Sequence, residues 1–452
     1  MAKTFSNAEI LNSFTASVQA STQWKAAIPL LAENDDVKSI FNVIANNPGL
    51  TNEFYAGLTT LVIPALIQDS IYENHFNVLK SGSLDGRTQE SISVDTKNPL
   101  VFDPNAGASV AFGDYTPEYT VQYHFMNVQL TFPASVNRAA FMGAVEGGDI
   151  VRFVSNILDQ VVTKANYTEE QMFKQIIAQK AYAGQIAHVE GGASDVEKAI
   201  ANINSIGMKM AFRRADFNLL GVPTSTDPEN LVLIASADFV AAMNVNQLHV
   251  LAKTFNVDES LVMGRIVTVD DFGALDTELL SSILGDGKDA SYIEFNASQK
   301  AALNGILALL CDRRYIYYKE AYTEMAEQPN GASLKRNYFY HRFLYMGTED
   351  AKNAALFSAE TPSITSVSVD PSSATLLTKG SKLHINATVV TANFAPKRVV
   401  WTTSDADKAT VDAYGNVVRT AANTVTTGTV TITATSVYDS TKTASCTIAL
   451  GE

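Results

Sequence analysis

Residues 147–183 read GGDIVRFVSNILDQVVTKANYTEEQMFKQIIAQKAYA. Ile150, Phe153, Val154, Ile157, Leu158, Val161 and Val162 recur at the three-and-four spacing that lines one face of a helix. Gly147-Gly148 interrupts what precedes it, and Asp149 suits an N-cap, its charge matching the positive end of the helix dipole. Met172, Phe173, Ile176, Ile177 and Tyr182 resume the apolar set after a polar run at Asn166-Tyr167-Thr168. Thr168 and Gln171 fit a second cap, so the spacing predicts one long kinked helix or two nearly collinear ones. Unbroken, the helix extends about 50 Å at 1.5 Å per residue. Taken alone, the pattern describes a core helix of a large domain.

Upstream, the period changes to two between residues 71 and 132. In RTQESISVD (87–95) Thr88, Glu90, Ile92 and Val94 alternate with Gln89, Ser91, Ser93 and Asp95. Tyr119, Val121, Tyr123 and Phe125 alternate in turn, and the phase then slips to Met126, Val128, Leu130 and Phe132, which predicts a β-bulge. The intervening 97–117 is rich in Pro, Gly, Asp and Asn and carries Val101, Phe102 and Phe112. A two-stranded excursion of this kind is not stable alone and calls for a partner, expected to be another subunit. Residues 1–60 form short helical segments punctuated by Pro29 and Asn47-Pro48-Gly49, an arm with no core of its own.

Downstream, an amphipathic helix over 195–212 buries Val196, Ile200, Ile203, Ile206 and Met210. Strand and helix then alternate: a strand at 231–234, helices at 238–244 and 246–255, a strand at 265–272. This middle third is α+β. GILALLCDRRYIYYKE (305–320), a turn at Gln328-Pro329-Asn330-Gly331 and RNYFYHRFLYMG (336–347) predict an antiparallel hairpin. From Ser363 the chain turns to Thr, Ser, Val and Ala in short alternating runs, with Trp401 as a core plug. That predicts a β-sandwich of immunoglobulin size.

The 452 residues carry a net charge of −14. Residues 363–452 hold seven basic and six acidic side chains, so the first 362 hold 26 basic and 41 acidic. An acidic body opposes a phosphate-gripping groove as the main business of the chain. Two cysteines, Cys311 and Cys446, make no disulfide framework or cysteine metal site. The N-terminus does not read as a signal peptide, and no apolar run spans a membrane, so folding in a reducing cytoplasm is expected.

No catalytic, cofactor-binding or metal-ligating constellation emerges, and the chain reads as a non-enzyme without cofactors. The histidines, His75, His124, His188, His249, His341 and His384, are scattered. Gly285-Asp286-Gly287-Lys288 lacks the phosphate-loop spacing and reads as a surface turn. Asp270-Asp271 reads as a solvated turn, Arg213-Arg214 and Arg313-Arg314 as inter-subunit salt-bridge formers, and the aromatic run 338–345 as core strand packing.

Two resemblances extend this reading. Val369-Asp370-Pro371, Lys379-Gly380, Trp401 with Ser404-Asp405, Ala409-Thr410-Val411-Asp412, Gly415-Asn416-Val417 and residues 428–434 resemble the group-2 bacterial immunoglobulin-like domain. LDGRTQESI (84–92), FVSNIL (153–158), LAKTFN (251–256) leading to Gly264 and VTVDDF (267–272), and the aromatic strands ending at Tyr345 resemble the major capsid protein of small short-tailed phages of the phi-twenty-nine type. The resemblance implies an α+β Hong Kong 97-type shell over residues 1–360, followed by the all-β immunoglobulin-like sandwich over 363–452. Within the shell it implies an N-arm (1–65), an E-loop (72–132), a spine helix (149–183), a peripheral domain (190–230 and 291–360) and an axial domain (231–290). Some shells of this type cross-link an E-loop lysine to a neighbour. Lys80 and Lys97 lie in that region, but no motif supports the chemistry.

The expected function is therefore a structural head protein of a tailed double-stranded DNA phage, assembling with itself into pentamers and hexamers of an icosahedral or prolate shell. The implied partners are further copies, a scaffolding protein and portal during assembly, enclosed DNA, and a host-surface glycan through the outward immunoglobulin-like domain, with no membrane. The expected places are the virion and, during assembly, the host cytoplasm. The alternative is a bacterial surface adhesin or carbohydrate-binding protein with an immunoglobulin-like module.

Overall fold

The structure is a computed structural model describing the chain outside residues 1–10, 13–14, 17–20, 32–36, 48, 51–52, 54–71, 85, 87, 96–116, 138–149, 193–194, 244, 286–291, 331–334, 377, 421–427 and 452. Most of the arm, the Asp149 cap, Lys97, Val101, Phe102, Phe112 and Lys288 lie outside the described residues, as do the side chains of 150–158. The chain folds as two units. One comprises Met1–Arg87, Phe125–Glu170 and Tyr318–Met346, the other Thr88–His124, Gln171–Tyr317 and Gly347–Glu452.

In chain order, helices α1 (Thr22–Ala27) and α2 (Val37–Asn46) precede strands β1 (Thr88–Asp95), β2 (Glu118–Phe125) and β3 (Val128–Asn137). The long helix is α3 (Ile150–Tyr182), followed by β4 (His188–Glu190), α4 (Val196–Met210), β5 (Leu231–Ser236), α5 (Ala237–Ala241), α6 (Val245–Phe255) and β6 (Ile266–Val269). Next come α7 (Thr277–Leu284), α8 (Ala297–Leu303), β7 (Ile306–Asp312), β8 (Ile316–Asn330), β9 (Lys335–Thr348) and β10 (Ala354–Ser358). The sandwich strands are β11 (Ser363–Asp370), β12 (Ser373–Leu376), β13 (Lys382–His384), β14 (Asn386–Ala392), β15 (Val399–Thr403), β16 (Ala409–Val411), β17 (Asn416–Arg419), β18 (Gly428–Ser436) and β19 (Thr443–Leu450).

In the first unit β9 lies between β3 and β8, with β3 antiparallel to β9 from Val128↔Leu344 to Asn137↔Lys335. Strand alternation sends Phe132, Ala134, Tyr340 and Met325 toward Val161, Val162 and Ala165 of α3, closing a small core. The other phase of β9 presents Phe339, His341 and Phe343, with Tyr322 of β8 tilted against Phe343 at 5.7 Å.

Of the two expected forms, two separate helices do not occur: α3 is one helix, uninterrupted through 166–168. The polar run is a band of buried side chains with partners. Asn166 Nδ2 donates to the Tyr72 carbonyl at 2.8 Å, and Thr168 Oγ1 donates back to the Lys164 carbonyl at 2.7 Å. Arg342 meets Glu169 at 2.7 Å, and the Tyr318 hydroxyl donates to Glu169 at 2.5 Å. Burial lowers the Arg342 pKa, but Glu169, Tyr340 and Tyr318 together hold it above its ordinary value, while burial and Glu169 push Tyr318 up. His75 closes the band on Glu170 at 2.8 Å. Satisfied polar groups leave the helix intact, so the sequence signal of a cap was a signal of buried polar packing.

The predicted bulge is also replaced. The phase slip at Met126 is a change of sheet, since β1 and β2 form a two-stranded ribbon while β3 joins β9. The Asn127 side chain holds the crossing, donating to the Met346 carbonyl at 2.8 Å and accepting from the Met346 amide at 3.0 Å.

The second unit is built on a mixed sheet ordered β4-β10-β7-β5-β6. Every residue of β5 is buried, as a central strand covered on both faces requires. Ile200, Ile203, Ile206 and Met210 of α4 and Leu251 and Phe255 of α6 pack on Leu231, Leu233 and Leu310. The hairpin predicted from residue 305 therefore begins later: β7 pairs with β5 and β10, and the chain turns at 313–315 before β8. The expected division between 190–230 plus 291–360 and 231–290 falls inside this sheet, because β5 and β6 share one core with β7 and β10.

Residues 363–450 form the expected sandwich, with sheets β11-β14, β12-β19-β18-β15 and β13-β17-β16. Ile385, Val417, Val430, Ile432, Cys446 and Ile448 fill it, and Trp401 packs against them.

Candidate functional site

The β1–β2 ribbon is amphipathic the wrong way round for a lone chain. Ile92, Val94, Tyr119 and Tyr123 point outward, Ile92 at 60% and Tyr119 at 71% exposure, while Gln89, Ser91, Gln122 and His124 turn inward. Large apolar side chains left to water on one side of a two-stranded ribbon are what a contact surface presents.

The inward polar residues fix its root within the second unit. Gln122 clamps the turn after β9, its amide donating to the Thr348 carbonyl at 2.8 Å and its carbonyl accepting from the Asp350 amide at 2.9 Å. The buried His124 ring bonds Glu349 at 3.0 Å and stacks on Tyr317, 3.9 Å between centroids and 5° between planes. The Tyr317 hydroxyl in turn donates to Gln89. Burial alone would raise the Glu349 carboxyl. Hydrogen bonds from His124 and Ser91 and the nearby cations win, holding it below the usual carboxylate range. Asp95 ties β1 to Arg213 at 2.6 Å.

A second built contact, also within this unit, seats the sandwich on the shell residues. The Arg398 guanidinium donates to the carbonyls of Ala215 and Asn218 at 3.0 and 3.3 Å, and the Lys397 amide donates to the Gly184 carbonyl at 3.0 Å. Burial lowers the Arg398 pKa, with Asp216 opposing. Gly221, at φ +68°, lies so close to Arg398 that a Cβ there would collide with the guanidinium, and a Cβ on Gly191 would strike the Glu360 carbonyl and the Pro362 ring. A cleft of about 600 Å³ lies beside this seat, lined by Tyr182, Gly305, Glu360, Val390, Phe394 and Lys397 among others.

The residues weighed in the sequence are dispersed. His188 faces Glu190 at 3.4 Å, its pKa lowered chiefly by burial, and His341 bonds Thr131 at 2.9 Å. His384 sits between Asn416 and Asn386, 3.0 Å from each. Asp270 pairs with the buried Lys174 at 2.5 Å, and burial followed by Asp238 and Asp270 raises Asp271. Arg213, Arg214 and Arg314, expected to bridge subunits, pair within the chain to Asp95, Asp216 and Asp312. Asp216 and Asp312 lie two residues from their arginines, whereas Asp95 reaches Arg213 from 118 residues away. The clamp of Gln122, His124, Glu349 and Asp350 was not found from sequence. Its one trace was the polar phase of β2, which reads as a solvated face until the strand is placed.

A model of the Phi29-like phage major capsid protein family matches residues 11–358, well over half of the chain. This chain belongs to that family. A model of the bacterial Ig-like domain (group 2) matches residues 363–448. The chain is 23% identical over 426 residues to the major capsid protein of Bacillus phage B103, covering 92% of this chain and 87% of that one. It is 24% identical over 390 residues to that of Bacillus phage PZA, covering 84% and 79%. The capsid structure of Staphylococcus phage Andhra superposes with a TM-score of 0.50 at 14% identity, covering 64% of this chain and 85% of that one, a likeness of fold. The fold is thus the Hong Kong 97-type capsid fold with a terminal immunoglobulin-like domain. The protein is a structural major capsid protein of a tailed phage, resident in the virion capsid, and it assembles with its own copies.

Proposed function

We propose that this capsid protein builds pentamers and hexamers by laying the exposed face of its β1–β2 ribbon on a neighbouring copy. The single observation behind this is the inverted ribbon: Ile92, Val94, Tyr119 and Tyr123 outside, with a polar clamp holding the root inside. A closed shell needs one subunit to make heterologous contacts whose rotations close, and a projecting ribbon suits that need. In this reading residues 1–65 are the arm, 72–132 contain the E-loop with the ribbon as its stem, and α3 is the spine. The β3-β9-β8 sheet is the peripheral domain, and the β4-β10-β7-β5-β6 sheet belongs to the axial domain, which moves the boundary expected from sequence.

Scaffolding protein and portal act during assembly, and double-stranded DNA is enclosed without being gripped. The acidic shell residues, 41 acidic against 26 basic, repel the packaged polymer from the wall. The near-neutral sandwich faces outward, where weak contacts to a host-surface glycan gain from many copies. The role is structural and not enzymatic.

Negative-stain microscopy and light scattering of the full chain, with and without scaffold, test the reading. Closed shells are expected from the natural chain and not from an Ile92→Asp, Tyr123→Asp variant whose thermal unfolding is unchanged. Normal shells from that variant would end the ribbon proposal while leaving the family assignment standing.

A further inference from the structure

From the Arg398 seat and the Gln122 clamp we infer that the immunoglobulin-like domain is mechanically coupled to the ribbon through the turn at residues 348–353. The two contacts lie on opposite sides of one short polar network inside the second unit. Arg398 holds the carbonyls of Ala215 and Asn218. Asn218, 1% exposed, stiffens its loop by donating to the Val222 carbonyl at 2.7 Å and accepting from the Val222 amide at 3.0 Å. The next residue, Leu219, donates its amide to the Asp350 carbonyl at 3.1 Å, and the Ala354 amide donates to the Phe217 carbonyl at 2.8 Å. On its other side, Asp350 donates its own amide to Gln122 of the ribbon.

The turn is braced at its centre. Lys180 of α3 reaches both Asp350 carboxylate oxygens at 3.0 and 3.2 Å, Thr348 Oγ1 donates to Asp350 at 2.9 Å, and the Glu349 amide donates to the Tyr315 carbonyl at 2.8 Å. A displacement of the 215–222 loop therefore reaches the ribbon root through a joint with few free torsions. The two ends of the network serve different surfaces, the terminal sandwich and the apolar ribbon. Load or ligand on the module changes how firmly the ribbon is aimed, and seating of the ribbon on a partner tightens the module in return. Coupling between two sites is reciprocal by linkage.

Hydrogen–deuterium exchange on the full chain, before and after assembly, measures this. Arg398→Ala should speed exchange of amides 215–221 and of ribbon amides 118–124 by about fivefold or more, the low end of ordinary coupling. Amides of β5 and β7 should not change. Arg398→Lys, which keeps the charge on a shorter and more mobile point donor, should fall between. From the other end, Gln122→Ala should speed exchange of 215–221 by a comparable factor while the sandwich core stays protected. The inference is overturned if Arg398→Ala loosens the seat and leaves the ribbon unchanged, if it loosens neither, or if Gln122→Ala loosens the ribbon alone. Should Arg398→Ala fail to fold, the Gln122→Ala arm decides by itself.

Discussion

The β1–β2 ribbon and the terminal sandwich are both antiparallel β-structure read from period-two sequence, yet they solve opposite problems. The sandwich turns its apolar phase inward: Ile432, Cys446 and Ile448 are fully buried, and its sheets cover one another. The ribbon turns its apolar phase outward and is held by polar bonds from its inner phase. One is finished as a single chain, and in the proposed assembly the other is finished by a neighbour. Alternation states which side chains share a face, and the environment decides whether that face is core or interface.

The largest expected effect bears on the ribbon. Replacing Ile92 and Tyr123 by Asp should abolish shell formation, measured by microscopy, with the unfolding of the free chain changed by no more than about 0.5 kcal/mol, as for ordinary surface substitutions. The sandwich should behave in reverse. Ile432→Ala should cost the module about 2–5 kcal/mol by denaturant unfolding, from lost burial plus cavity, while shells still form. Loss of shells here would make the module part of the closing contact.

At the ribbon root, His124→Ala removes the partner of a buried carboxylate, and about 1–3 kcal/mol of destabilisation is expected. The pH dependence has a definite sign. The folded-state pKa of Glu349 is depressed, so its contribution is present above the unfolded carboxylate pKa of about 4.3 and is lost as pH falls through the lower folded value. Thermal unfolding across that acid range should show a steeper loss for the natural chain than for Glu349→Gln, and equal slopes would refute the assignment. The smallest effect is expected from ending the chain after Pro362. Shells should assemble with ordinary yield, and a collapse in yield would show that the Arg398 seat is a required clamp.

Much of the fold was legible. The three-and-four spacing located α3, the all-apolar run located β5, and the composition change at Ser363 located the sandwich. What failed, failed for one reason. Asn166-Tyr167-Thr168 read as an interruption because what buries it is remote: Asn166 bonds the Tyr72 carbonyl, 94 residues away. Asp312-Arg313-Arg314 looked like the interior of a strand because a change of sheet leaves no local trace. Gln122 and His124 gave no sign of a clamp because their partners, Asp350 and Glu349, lie 228 and 225 residues away.

The sequence by itself therefore determined the periods: one long helical face, short strands with alternating sides, and a near-neutral β module after an acidic body. Tertiary structure alone decided the partners. It set which sheet each strand joined, which polar side chains were buried, and that the ribbon's apolar side is the outer one. The physical reason is that periodicity is a property of neighbours a few residues apart, whereas burial and hydrogen-bond satisfaction depend on contacts between residues hundreds of positions apart.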